Sequence, residues 1–176
     1  MDLVIVGSMG YDDIETPQAT GSDILGGSAV HAGVSASFHL PETTGGSKSV
    51  GLVSPVGGDF LEAHQKVLEG LGLDFSGVAR LPGKTFRWSG RYEGSMENVE
   101  TISTEVNVLG SFDPEIPNSW TSPKVLFCAN THPSSQVSAL DQCPNSEITA
   151  VDTFMLWIET EFEQLSLALR KADIAI

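Results

Sequence analysis

Basic residues are scarce in this chain: nine Lys and Arg stand against 23 Asp and Glu, for a formal charge of -14. So acidic a surface repels phosphate backbones and anionic lipid headgroups before contact, which argues against nucleic acid or a membrane as partner. Cysteine is scarce as well. Cys128 and Cys143 lie in no metal-ligand spacing and are too few for a disulfide framework, so both are expected to be reduced and buried. His31, His39, His64 and His132 share no spacing typical of a metal site either, and no metal is expected. No apolar run approaches the length that spans a bilayer, and the first apolar segment starts at Leu3 without a basic region or a small-residue cleavage site before it. The cytoplasm is therefore the expected compartment. Internal repeats and low-complexity tracts are also lacking.

What is present is an alternation of strand and helix signals. With 176 residues and 40% apolar content, the chain can bury one α/β core and has no room for two comfortable domains. Leu3-Val4-Ile5-Val6 is apolar throughout and ends at Gly7-Ser8, the pattern of a strand covered on both faces of a parallel sheet. The pattern predicts a helix over 28–38, a strand over 49–53, and a helix over 59–71 that opens on Asp59, with Glu62 three residues on, and stops at Gly72. The period then changes. Phe86, Trp88 and Tyr92 alternate with Arg87, Ser89 and Arg91, residues 101–108 alternate likewise, and a polar link over 94–98 joins the two. This reads as a β-ribbon standing apart from the main sheet, its aromatic face covered by the main body, by a second copy or by a ligand. After a proline-bearing connection over 114–123, strands are expected over 124–129 and 148–151, helices over 134–140 and 159–169, and a further strand from Asp173, which the end of the chain cuts short.

The richest segment for function is Gly26-Gly27-Ser28-Ala29-Val30-His31-Ala32-Gly33. Paired glycines and small side chains let a polar ligand approach the backbone, and a turn opening a helix offers N–H groups and the positive end of the helix dipole. Small residues equally let a helix lie close against a sheet, and both uses stay open from the sequence. In a parallel α/β sheet ligands gather at the carboxyl ends of the strands, which collects Asp12, Asp13, Asn130, Thr131, His132 and Asp152 on one edge. A carboxylate there suits vicinal hydroxyls, from which it can accept two hydrogen bonds. Gly45-Gly46-Ser47-Lys48-Ser49 has the look of a phosphate-binding loop, but it precedes a strand instead of following one and reads as an ordinary loop.

Taken in order, Gly7-Ser8 with Asp12 close behind, Gly26-Gly27 opening a small-residue helix, Val56-Gly57-Gly58-Asp59 and then an alternating ribbon make the chain resemble the N-terminal part of the PfkB (ribokinase-like) carbohydrate and nucleoside kinases. The resemblance implies an α/β fold, a mostly parallel sheet flanked by helices with a small β-ribbon lid, C-terminally truncated. That would be a single incomplete domain over 1–176, with lid elements at about 14–25 and 84–110. It implies phosphoryl transfer from ATP, with Mg2+, to a hydroxyl of a small sugar or nucleoside. It further implies substrate contacts at Asp12, Gly26, Gly27, Ser28, His31 and Thr131, and a lid carrying Phe86 and Trp88. His31 and Gly10 stand where members often have asparagine, and Thr131 stands near a position where some have a carboxylate. The family places its catalytic base in a later glycine-rich Asp motif, so Asp59 is read as a structural helix cap and no catalytic residue is assigned. The main ATP- and Mg2+-binding residues belong to that later part as well. The chain is thus expected to supply the acceptor-substrate side of such a kinase and to be inactive alone. The alternative is a non-catalytic module that binds sugar or forms a homodimer through the β-ribbon.

Overall fold

The computed structural model describes residues 1–40 and 49–176, so the loop over 45–49 lies, apart from Ser49, outside the described residues. In chain order the elements are β1 (Leu3–Val6), β2 (Gly10–Glu15), β3 (Thr20–Gly26), α1 (Ser28–His39), β4 (Val50–Val56), α2 (Glu62–Gly70), β5 (Leu73–Arg80), β6 (Phe86–Glu93) and β7 (Asn98–Glu105). Then follow β8 (Val125–Cys128), α3 (Pro133–Gln142), β9 (Ile148–Val151), α4 (Met155–Thr160), α5 (Phe162–Lys171) and β10 (Ile174–Ala175).

Six strands form a parallel sheet in the order β10-β9-β8-β1-β4-β5. The central place of β1 follows from its sequence, because alternate side chains of a strand point to opposite faces and only an unbroken apolar run satisfies a core on each. Val4 and Val6 pack on one side with Leu126, Trp120 and Leu140, while Ile5 packs on the other with Leu52, Val30 and Leu73. Strand β4 runs to Val56, three residues past the expected end and through Pro55. A proline is tolerated here because β1 pairs only with Val50 to Val53, so Pro55 lies beyond that ladder. The expected helix over 159–169 is instead α4 and α5, divided at Glu161. Cys128 and Cys143 are free and buried, and burial pushes their thiols up to about 12 and about 11, which leaves both inert at neutral pH.

A second, four-stranded sheet has the order β3-β2-β6-β7, with β2 parallel to β6 and antiparallel to β3. The ribbon read from the alternation at 86–108 is its outer half. The inner half showed no alternation and was implied only in part, by the lid element at about 14–25 that came with the resemblance; Asp12, expected just past the carboxyl end of a strand, lies within β2 opposite Ile24 and Trp88. Two sets of contacts join the sheets. The Tyr11 hydroxyl accepts a hydrogen bond from the Leu61 N–H at 3.0 Å and lies 3.2 Å from His64 Nδ1. Asp59 accepts from the Thr85 amide at 2.8 Å and from its hydroxyl at 2.7 Å. Asp59 is thus structural, but as the anchor of β6 and not as a helix cap: α2 starts at Glu62 with Leu61 at its N-cap.

Helix α1 lies close on the sheet because Gly33 faces it. A Cβ there would stand 2.9 Å from Leu52 Cδ2 and 3.3 Å from Leu73 Cδ1. Gly33→Val is expected to lower stability by about 1–3 kcal/mol through overpacking, read as a lower denaturant midpoint. An unchanged midpoint would mean that α1 can move off the sheet at no cost.

Candidate functional site

At the carboxyl ends of β1, β8 and β9, beneath the small sheet, is a cleft of about 540 Å³. Its floor is made where α1 begins. Gly27 has φ 104°, and a side chain there would run into the Ser8 carbonyl, so only glycine lets the helix start this close to the loop after β1. Ser8 and Ser28 then bond reciprocally, each amide donating to the other's hydroxyl at 3.0 Å. The Ser28 hydroxyl also donates to the Asn130 carbonyl at 2.7 Å, tying in the loop after β8. The Ala29 amide donates to the Ser8 carbonyl as well. The helix-start amides of Ser28 and Ala29 are thus taken by Ser8 and not left for a ligand, contrary to what the glycine pair implied.

Asp12, Gly27, Ser28, His31 and Thr131 line this one cleft, and Phe86 and Trp88 line it from the small sheet. Gly26 does not line it. It sits behind Asp12, where any Cβ would overlap the carboxylate, so its role is to make room for Asp12. Among the described residues no protein hydrogen bond engages the Asp12 carboxylate, and the Thr131 hydroxyl, in a residue only 2% exposed, has no partner. A half-buried free carboxylate and an orphaned buried hydroxyl lining the same cleft are unmet hydrogen-bonding capacity, which a ligand can satisfy.

The other wall comes from the loops after β8 and β9. Asn130 accepts at 2.8 Å from the indole N–H of Trp157, whose ring packs edge-on to His132 with centroids 5.1 Å apart. His132 itself is occupied as the N-cap of α3, its Nδ1 2.8 Å from the Ser134 hydroxyl. The buried Gln136 amide donates to the carbonyls of Ala129 at 3.0 Å and Asp152 at 2.8 Å, which holds the ends of β8 and β9 together.

No protein-family description and no curated protein matches the sequence. Solved structures do match the fold. Ribokinase from Giardia lamblia superposes with a TM-score of 0.75 over 99% of this chain at 11% identity. A nucleoside kinase from Burkholderia thailandensis in complex with inosine gives 0.69 over 98% at 16%, and adenosine kinase from Anopheles gambiae gives 0.75 over 99% at 11%. The fold is ribokinase-like. Across these three the chain spans 56%, 59% and 66% of the matched structure's length.

Within the ribokinase-like frame, the expected substrate and lid residues other than Gly26 line one cleft, while Asp13, which accepts from the Asp23 amide at 2.9 Å, and His132, both gathered on this edge by the sequence, do not line it. Trp157, Phe154 and Leu156, which also line the cleft, were missed. Their sequence signal was an apolar run after Asp152, which reads as core and not as site. Among the described residues no Lys or Arg lines the cleft, while Asp12 and Asp152 both do. Burial pushes the Asp12 carboxyl above the usual range, opposed by His31 and reinforced by Asp13. Burial does the same at Asp152 against hydrogen bonds from the Thr153 and Asn130 amides.

A raised carboxyl value means that the folded state holds the proton more readily than the unfolded chain. Each carboxylate therefore detracts from stability above its folded value, and the penalty vanishes below the unfolded one. Asp12→Asn and Asp152→Asn should each stabilise the protein at neutral pH, with the gain shrinking to nothing by about pH 3. Denaturant unfolding of variant and parent across that range checks this; a gain independent of pH would rule out desolvation as its source.

Proposed function

We propose that this chain supplies the acceptor-substrate side of an ATP-dependent kinase that phosphorylates a hydroxyl of a sugar or nucleoside. The observation that carries the reading is the convergence of the free Asp12 carboxylate and the orphaned Thr131 hydroxyl in one cleft beside Gly27. Asp12 accepts hydrogen bonds from neighbouring hydroxyls of the acceptor, Thr131 adds a further polar contact, and His31 borders the same space. Phe86 and Trp88 act as the lid, covering the acceptor and keeping water from it. Ser28 shapes the floor through its bonds to Ser8 and Asn130 and touches the acceptor only from the side.

The reading implies ATP with Mg2+ as the phosphoryl donor. The cleft itself does not fit them: among the described residues its lining has two carboxylates and no Lys or Arg for a triphosphate to meet. Among the described residues no three His, Cys, Asp or Glu stand close enough to hold a metal ion. No step is therefore assigned through either group. The same lack of cationic groups suits an uncharged polyol.

Asp12→Ala removes the main acceptor of hydroxyl hydrogen bonds. It is expected to weaken sugar or nucleoside binding by about 2 kcal/mol, near 30-fold, in calorimetric titrations with a panel of both classes. If no member of the panel binds the parent chain, the reading fails. A second reading, a homodimer formed through the small sheet, is favoured by β7, which is exposed along its whole length with Val99 and Ile102 outward. Sedimentation separates the two: a dimer split by Ile102→Lys supports the second, and a monomer that binds sugar supports the first.

A further inference from the structure

We infer that the acceptor carries a protonated amine beside its hydroxyls and that the Asp152 carboxylate receives it; this rests on the polyol reading of the same cleft, in which Asp12 serves the hydroxyls. Asp12 and Asp152 both line the cleft, and among the described residues no Lys or Arg does. Such a lining admits a neutral polyol, but a carboxylate that loses water when a ligand fills the cleft then gains no counter-charge. The two carboxylates are not equivalent. His31 acts on Asp12 with opposite charge, whereas among the described residues no charged side chain acts on Asp152.

Asp152 is nonetheless held in place. Its amide donates to the Cys128 carbonyl at 2.9 Å, its carbonyl accepts from the Gln136 side-chain amide at 2.8 Å, and the Thr153 and Asn130 amides bond its carboxylate. Burial still prevails over those two amide bonds, so the fold keeps here a fixed carboxylate, partly stripped of water and without a counter-ion. The rest of the lining points to a ligand and to its kind. Thr131, only 2% exposed, keeps an unpartnered hydroxyl in the same cleft, which makes it more than an acidic recess. Phe154 and Trp157, which follow Asp152 in the chain, line the cleft with Phe86 and Trp88, and aromatic rings attract a cation through their faces. The formal charge of -14 adds a general attraction for cationic ligands. Among the described residues no three His, Cys, Asp or Glu stand close enough to hold a metal ion, so the fitting cation is an organic one.

Calorimetry on the full chain at neutral pH tests this with a panel that pairs each amine-bearing sugar, the amine on the ring or on an ethyl aglycone, with its hydroxyl counterpart. The tightest amine-bearing member is expected to exceed its counterpart by at least about tenfold. Asp152→Asn keeps an oxygen for the Thr153 and Asn130 amides and removes the charge, so it should bring that pair within about twofold of each other. Asp12→Ala should weaken both members alike. Absence of any pair that favours the amine, or an amine advantage undiminished in Asp152→Asn, would overturn the inference, and dependence of the hydroxyl members on Asp12 would leave the polyol reading standing. Binding of no member would overturn both.

Discussion

The close approach of Gly27 to Ser8 governs where the cleft lies. A residue with a side chain at position 27 would push the start of α1 away from the loop after β1, and the paired Ser8 and Ser28 bonds would open. With them would go the Ser28 bond to the Asn130 carbonyl, which brings the loop after β8 onto the same floor. Three segments distant in sequence are joined by this set of short polar contacts. Because the joined groups satisfy one another, two groups lining the cleft, the Asp12 carboxylate and the buried Thr131 hydroxyl, are left to a ligand.

The small sheet is held over this floor by a second set of contacts. Asp59 binds both the amide and the hydroxyl of fully buried Thr85. Arg87, which lies over the Tyr11 ring at 5.2 Å and pairs with Asp23 at 2.7 Å within the small sheet, also reaches Asp59 at 3.9 Å. Burial acts to raise the Asp59 carboxyl, but the Thr85 bonds and Arg87 outweigh it and hold the group below the usual range. At the carboxylates of the cleft burial prevails instead, over His31 at Asp12 and over the Thr153 and Asn130 amides at Asp152, and both shift the other way. The contrast separates a carboxylate built into the frame from carboxylates facing open space, although all of them stand on loops or strands of one rim.

Much of the frame was legible because the parallel strands are covered on both faces. Leu3 to Val6, Val125 to Cys128 and Ile148 to Val151 read as strands since a doubly buried strand needs an apolar residue at nearly every position. Strands β2, β3 and β5 were not seen. Gly10 to Glu15 carries two adjacent aspartates, and Thr20 to Gly26 is mostly exposed, so neither has the alternation that marks a half-buried strand. They pair because β6 and the core bring them together, and their backbone hydrogen bonds do not register in side-chain hydropathy.

The site divides in the same way. Glycine spacing, strand-end carboxylates and alternating aromatics drew attention to Asp12, the Gly26-Gly27 pair and the aromatics Phe86 and Trp88, and the family resemblance added the roles expected of them and of His31 and Thr131. Only the folded chain assigned them different tasks: Gly26 makes room for Asp12, Ser28 is spent on the floor, Asp59 anchors the small sheet, and Phe154 and Trp157 join a wall that the sequence presents as core. Whether a polar group is satisfied or free depends on partners up to 102 positions away, as between Ser28 and Asn130, and no local pattern contains that distance.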